Sequence, residues 1–414
     1  GVVRALLPRQ GKAEVCSEFP FVGGAIGYLG YELAERTEPV SLHRPNDLGL
    51  ADLVLLFVDR LLAFDHEEGT ACVFGLGFGR DRDRAEARAR AAAGEFAAVV
   101  ESARKRRAGS KRPWRGLGCS DRRRILETPL PPDLHQSFDE GRYTKAVTAI
   151  LQEIQEGNVY QADLTHRMDF PFEGDAWSLY RILRELNPAP FAAFLDLPEV
   201  AILSSSPERF LKADLRGELE SRPIKGTRPR GSTQAEDAAL ASALRHSEKD
   251  RAENLMIVDL VRNDLGRVCE VGSVDVPELM ALERYAGVFQ LVSKVTGRLR
   301  SDCDVLDAVC AAFPPGSMTG APKIAAIRLL DRLETVRRGI YSGAIGYFDL
   351  RGGADLSVVI RTLLLREGRA YLHAGGGVVA DSDPVAEYHE TLDKARALFT
   401  AVAEMRSGSQ SRSR

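Results

Sequence analysis

Apolar residues fall at every second position in some blocks of this chain and at every third or fourth in others, so strands and helices are expected in alternation. Residues 20–76 are of the first kind. PFVGGAIGYLGYE is glycine-punctuated and aromatic, LVLLFVDRLLAFDH alternates around a turn, and TACVFGLGF closes the group. Residues 81 to about 107 are dense in Ala, Glu and Arg with apolar residues at helical spacing, and predict one long helix. A helix from residue 137 to about 156 precedes VYQADLTHRMDF, a strand whose alternation puts Gln161 on one face. A helix near Leu179, the strands PFAAFLDL and EVAILSSS, and two helices across residues 233–263 come next. The second of these, SEKDRAENLMIVDLVRND, takes Leu255, Met256, Val258, Leu260 and Val261 as its apolar face and carries Glu253 at its start. YSGAIGYFDL, DLSVVIRTLLL and AYLHAGGGVV read as strands, and a helix begins at about Pro384.

The mixture predicts an α+β chain. Between residues 104 and 124 stand ten Lys and Arg residues with Gly109, Pro113, Gly116 and Gly118, the composition of a solvated connector. An RNA-binding patch is the other reading of that run, but only Trp114 offers a ring on which a base could stack. The connector divides the chain into an N-terminal lobe over residues 1–125 and a main domain over 126–405, and SGSQSRSR makes 406–414 a disordered tail. With 414 residues, 44% hydrophobic and 28% charged, the chain can bury one large core or two moderate ones. A formal charge of −3 argues against a field that collects nucleic acid. No apolar run approaches the roughly 20 residues that span a bilayer. Cys16, Cys72, Cys119, Cys269, Cys303 and Cys310 lack CxxC spacing and fit reduced cytoplasmic thiols rather than a zinc knuckle or a disulfide framework. The opening GVVRALLPRQGK has neither an initiator Met nor an apolar signal core, which predicts no secretory signal and a start inside a longer gene product.

Four stretches offer chemistry. RPIKGTRPR, residues 222–230, sets Lys225 on a tight bend between Pro223-Ile224 and Gly226-Thr227, beside backbone that a ligand can approach closely. Judged by residue type alone, it is one more surface lysine. FPPGSMTGAPK leads into an amphipathic helix and offers either free N–H groups for an anion or ordinary capping. Gly375, Gly376 and Gly377 end a strand where a ligand can lie against backbone, although no phosphate-loop or dinucleotide fingerprint is present. Glu387 and Glu390, three apart on a helix, turn both carboxylates to one side, as a hard divalent cation or a solvated acidic face would have them.

FVGGAIGYLGYE, EIQEGNVYQADL, SSSPERF, PIKGT, DRAENLMIVDLVRNDLGRV, PPGSMTGAPK, YSGAIGYF, IRT, AGGGVVADSDP and AEYHET, in that order, resemble the chorismate-utilising enzymes over most of the chain. The resemblance implies a two-lobed α+β fold of two large packed antiparallel sheets with helices outside. Residues 126–405 become the chorismate-binding catalytic domain. By the same resemblance Arg361 and Tyr341, with the backbone of Gly375, hold the enolpyruvyl carboxylate, and magnesium on Glu253 and Glu390, with Glu387 beside them, grips the ring carboxylate. Gly226, Thr227, Gly376 and Gly377 complete the cradle, Gln161 lines it, and Glu208 is the acid at the departing C4 hydroxyl.

Three positions sort the reactions of such enzymes. Relatives that add water carry a lysine where this chain has Gln161, which implies that water is not the nucleophile. PIKGT resembles the branch that makes 4-amino-4-deoxychorismate and feeds p-aminobenzoate synthesis, whereas anthranilate synthases usually read PIAGT. Those enzymes also usually place His before LVS, where this chain has Gln290. The implied reaction adds the Lys225 amine at C2 as the C4 hydroxyl leaves, and ammonia then enters at C4 as that amine departs. Burial and a nearby metal push the lysine pKa down, carboxylates push it up, and the sequence leaves the sum open. Nothing resembles a nucleophile-elbow cysteine, so a glutamine amidotransferase subunit or fused domain is expected to supply the ammonia. Anthranilate synthase component I is the runner-up reading, and a non-catalytic RNA-binding module the third. The end product implied is folate or a secondary metabolite built from p-aminophenylalanine.

Overall fold

The computed structural model describes residues 18–106 and 124–410 apart from 126, 132 and 286. Cys16, Cys119, Trp114, nearly all of the basic connector and the last four residues lie outside that range.

The strands, in chain order, are β1 (Gly24–Leu29), β2 (Leu53–Val58), β3 (Arg60–Asp65), β4 (Thr70–Gly75), β5 (His135–Gln136), β6 (Gln161–Pro171), β7 (Phe191–Asp196), β8 (Ala201–Ser206) and β9 (Arg209–Ala213). They continue with β10 (Glu218–Arg222), β11 (Ile224–Pro229), β12 (Asp275–Arg284), β13 (Val288–Arg298), β14 (Gly320–Ala321), β15 (Ala344–Asp349), β16 (Ala354–Val358), β17 (Thr362–Arg366) and β18 (Arg369–Val378). A nine-stranded sheet runs β11-β13-β10-β9-β16-β15-β1-β2 with β12 against β13, and a seven-stranded sheet runs β14-β6-β18-β17-β8-β7 with β5 against β6. All their pairings are antiparallel.

The sheets pack on each other through one buried cluster, to which the nine-stranded sheet gives Tyr28 and Ile345 and the seven-stranded sheet gives Leu195, Ile202 and Leu364. Helices Glu140–Gln155, Ala176–Leu186 and Pro384–Gln410 cover the outer face of the seven-stranded sheet, and Glu248–Gly266 and Val305–Ala312 cover that of the other. This is the expected α+β architecture. With both faces covered, β6 is buried at every residue but its last, so its polar side chains Gln161, Asp163, Thr165, His166, Arg167 and Asp169 all lie inside.

The chain passes between the sheets at two neighbouring places. Ser206 ends β8 in one sheet and Arg209 opens β9 in the other, with Glu208 between them. Likewise β16 stops at Val358 and β17 begins at Thr362 in the other sheet, with Arg361 between them at φ 52°. Hydrogen bonds tie the crossings together: Ser205 N to Arg361 O (3.1 Å), Val358 N to Glu208 O (3.0 Å) and Ser206 Oγ to Val358 O (2.6 Å). DLSVVIRTLLL, expected as a single strand, is therefore two strands in different sheets.

Other expectations shift as well. The described part of the 1–125 segment does not stand apart, because β1 lies between β15 and β2 in the large sheet, and among the described residues the β3-β4 hairpin packs with helix Arg82–Arg106 outside both large sheets. Helix Pro384–Gln410 runs five residues into the expected disordered tail, anchored where Arg406 lies over the Phe170 ring and donates to Pro171 O (2.6 Å). Lys225 sits within strand β11 rather than on a loop, next to a register shift between Ile224 and Thr227 that Gly226 permits at φ 86°. On helix Glu248–Gly266 the buried stripe is Asn254, Ile257, Val258, Val261, Asp264 and Leu265, while Leu255 is 53% exposed. Asn254 earns no place by hydrophobicity; it bonds Leu291 O (3.4 Å) and the Ser293 hydroxyl (2.5 Å).

Candidate active site

Gln161 and Asp163 are two apart on β6 and so share a face, and β18 runs beside them with Gly377 opposite Asp163. A Cβ on residue 377 would lie 2.4 Å from Gln161 Nε2 and 3.2 Å from Lys225 Nζ, which shows how closely these groups crowd the bare backbone. Lys225 reaches this point from the other sheet and stands 3.5 Å from Asp163 Oδ2. Both amide atoms of Gln161 and Oδ2 of Asp163 are buried without a hydrogen-bond partner, as is Oε1 of Gln290, whose β13 position faces Thr227 on β11. Natural interiors rarely leave such groups unpaired. Three of these atoms, on Gln161 and Asp163, gather beside one lysine and mark a surface made for a polar ligand.

Burial works to strip the Lys225 proton, yet Asp163, Glu253 and Glu208 outweigh it and raise the pKa, so the amine is held as ammonium. Glu208, at one sheet crossing, is pushed by burial to about 7, against the Ser317 hydroxyl and the Lys225 charge. It is a carboxyl that keeps a proton near neutrality, as a general acid must.

At the other crossing, burial disfavours the Arg361 guanidinium and lowers its pKa. Among the described residues that guanidinium has no hydrogen bond or ion pair, an arrangement that calls for an anion. Tyr341 stands nearby with its ring stacked on His373 (centroids 5.1 Å apart, planes at 15°).

Gly376 points to the opposite side of β18, toward Glu387 and Glu390. Glu387 is raised by burial and accepts from Ser382 Oγ (2.6 Å), with the Lys249 ammonium 3.6 Å away. Lys394, 2.7 Å from Glu390, lowers that carboxyl. Glu253 is raised by burial to about 6, partly offset by Lys225 and Lys249, and no hydrogen bond or ion pair holds it among the described residues. No three acidic, His or Cys side chains converge into a ready metal cluster among the described residues. The donor chemistry nonetheless suits magnesium: all three groups are hard oxygen donors, and Glu253 is a buried carboxylate short of compensating charge.

Of the two readings of FPPGSMTGAPK, an anion site or ordinary capping, the lysine of this stretch gives no support to the first. Residues 311–320 are buried, and the Lys323 ammonium is turned inward to Asp264 Oδ2 (2.7 Å) and Ala312 O (2.9 Å). The stretch meets the site through the Ser317 side chain at Glu208 and through backbone, with Thr319 O accepting from Asp163 N (2.9 Å) and Ala321 paired with Gln161.

Sequence reasoning missed Asp163 and the buried network beneath it. Arg338 donates to Asp163 O (2.7 Å), Met318 O (2.6 Å) and Glu334, and its guanidinium lies 4.5 Å from the Tyr31 ring centroid. Glu334 in turn accepts from the backbone and hydroxyl of Thr165 (3.1 and 3.0 Å). Period-two reasoning from Gln161 would have found Asp163, whereas no local signal links Arg338 to a strand 175 residues away.

A buried amine, a carboxyl poised near neutrality and an unpaired guanidinium, gathered where two antiparallel sheets meet, define an enzyme site for a small anionic substrate. The chain belongs to the chorismate binding enzyme family, whose signature matches residues 4–400. It is 48% identical over 381 residues to the aminodeoxychorismate synthase of Streptomyces griseus, a match covering 92% of this chain and 50% of that protein. The chain thus spans about half the length of that relative. It is 38% identical over 387 residues to anthranilate synthase component 1 of Geobacillus stearothermophilus, covering 93% and 75% of the two chains. The crystal structure of anthranilate synthase component I from Streptococcus pneumoniae TIGR4 superposes with a TM-score of 0.80 at 32% identity, over 96% of this chain and 85% of that one. No described helix is long and apolar enough to cross a membrane.

Proposed function

We propose that this chain is the chorismate-converting part of an aminodeoxychorismate synthase, acting in the cytoplasm and making 4-amino-4-deoxychorismate for p-aminobenzoate and folate synthesis, with ammonia from a glutamine amidotransferase subunit or domain. The observation that carries the reading is Lys225, buried against bare backbone at Gly377 and flanked by unpaired polar groups. An aminodeoxychorismate synthase as the relative at 48% identity supports it.

Arg361 and Tyr341 bind the enolpyruvyl carboxylate beside Gly375. The Lys225 lone pair forms a bond to ring C2 while the C4–oxygen bond breaks, and Glu208 gives its proton to the departing hydroxyl, which leaves as water. Ammonia then bonds to C4 as the C2–Nζ bond breaks, and the extra proton on the new amine restores Glu208. Glu253, Glu387 and Glu390 would hold magnesium, which when bound draws charge from the ring carboxylate. Gln161, which carries no charge, leaves water without a base.

The test is product analysis with chorismate, magnesium and ammonium. The expected product retains the three-carbon enolpyruvyl group and releases no pyruvate. Stoichiometric pyruvate with fluorescent anthranilate overturns the reading in favour of anthranilate synthase chemistry. Omitting ammonia should let a Lys225 adduct accumulate on the peptide spanning residues 222–230, and Lys225→Ala should abolish it.

A further inference from the structure

Lys225 is charged as it stands, and an ammonium has no lone pair with which to attack. Something must take its proton before the ring bond forms. Asp163, Glu208 and Glu253 all act on it, and Lys249 and Asp250 act in turn on Glu253. Glu208 cannot serve, because it must deliver a proton in the same step. Glu253 is assigned to magnesium in the proposed function. Asp163 remains.

We propose that Asp163 is a catalytic residue, accepting the Lys225 proton through Oδ2 and so creating the nucleophile beside Gly377. The inference rests on Lys225 being that nucleophile. The two groups are 3.5 Å apart, each largely buried, and Oδ2 accepts no hydrogen bond that would compete for its lone pairs. Asp163 is also held on both sides by its own backbone: its N–H donates to Thr319 O (2.9 Å) and its carbonyl accepts from Arg338 Nη2 (2.7 Å). That anchoring fixes the direction in which the carboxylate leaves the strand.

The steps balance. An Nζ–H bond breaks, the proton forms an O–H bond on Oδ2, and the electron pair stays on nitrogen. After the amine departs from C2, Asp163 returns the proton to Nζ and the site is reset. Glu208 handles the separate proton that leaves with the C4 oxygen and returns from the incoming ammonia. One carboxyl serves the nucleophile and the other the leaving group.

The experiment follows adduct formation on the 222–230 peptide by acid quench and mass spectrometry, with chorismate and magnesium but no ammonia. Wild type, Asp163→Asn and Asp163→Glu are compared at about pH 7 and about pH 10, the latter close to an ordinary lysine pKa. Thermal unfolding and chorismate affinity of each variant check fold and binding. Asp163→Asn should form adduct about 100-fold more slowly at the lower pH, the deficit should shrink at the higher pH as solvent takes the proton, and Asp163→Glu should recover part of the rate. Adduct formation by Asp163→Asn at the wild-type rate overturns the proposal. So does a deficit equal at both pH values or explained by lost chorismate affinity, since that marks a positioning residue. Absence of any wild-type adduct is a distinct outcome: it removes Lys225 as nucleophile and this inference with it.

Discussion

Gly376 on β18 and Glu387 on helix Pro384–Gln410 approach so closely that a Cβ on residue 376 would lie 2.8 Å from Glu387 Oε2, with Lys394 Nζ at 3.7 Å and Glu390 Oε1 at 3.9 Å. Each of these atoms is the far end of a flexible side chain and can swing aside. Gly376→Ala should therefore fold with a stability loss of only about 1 kcal/mol while its magnesium requirement rises several-fold. Gly375→Ala differs, since its Cβ would meet Leu164 O at 2.4 Å and backbone cannot yield so easily. It should cost several times more stability. Urea unfolding and magnesium titration of turnover measure both effects, and equal destabilisation by the two would contradict the geometry.

Glu253→Gln and Glu390→Gln each remove one anionic donor and should raise the magnesium concentration needed for turnover by about tenfold or more. Glu253→Gln should not destabilise the fold, because it removes a buried, undercompensated charge. Magnesium titrations that match wild type in both variants would show that the cation binds elsewhere.

Removal of the Arg361 charge should weaken binding without weakening the fold. The guanidinium is partly buried with no ion pair among the described residues, so Arg361→Gln should leave the unfolding midpoint unchanged or raise it even as KM for chorismate increases by about 10-fold to 100-fold. Lower stability with an unchanged KM would make Arg361 a structural residue.

Glu32 gives a pH signature remote from the chemistry. Burial raises its pKa from 4.5 to about 7; Oε1 accepts from Gly339 N (3.3 Å) and Oε2 has no partner. Between about 4.5 and 7 the folded chain keeps a proton that the unfolded chain has released, so this group makes stability fall as pH rises across that window. Glu32→Gln should flatten the decline and be more stable than wild type by about 1–3 kcal/mol above pH 7. Denaturant unfolding at pH 5 and pH 8 tests it. A decline as steep in the variant as in wild type would assign the effect to Glu208, Glu253 or Asp264, each of which is also raised by burial.

The sheets, the helices that cover them and the glycine run were legible because each rests on local periodicity or on residues without a side chain. The site was legible only in part. Lys225, Gln161 and Glu208 stood within short signatures, but the same residues read singly gave an exposed lysine, a strand amide and one acid among many. What local pattern could not show is where the chain changes sheets. A strand ending at Val358 and one starting at Thr362 have the same alternation as an unbroken run. Burial of Asp163 and Arg338 likewise depends on partners distant in sequence, and composition alone would place both at the surface. Lys323 shows the same dependence on distant partners, since Asp264 on another helix claims its charge.

The placement of β6 and β11 in different sheets has one further consequence. Gln161, which the resemblance ties to the choice between water and amine as nucleophile, belongs to the seven-stranded sheet, whereas Lys225 and Gln290, which it ties to the choice between the two amination chemistries, belong to the nine-stranded one. Each position stands on its own scaffold, and among the described residues no strand ladder joins the two scaffolds. Substitution on one leaves the strand register of the other intact. On the proposed function, such an enzyme would change its reaction by single steps, revising one decision at a time.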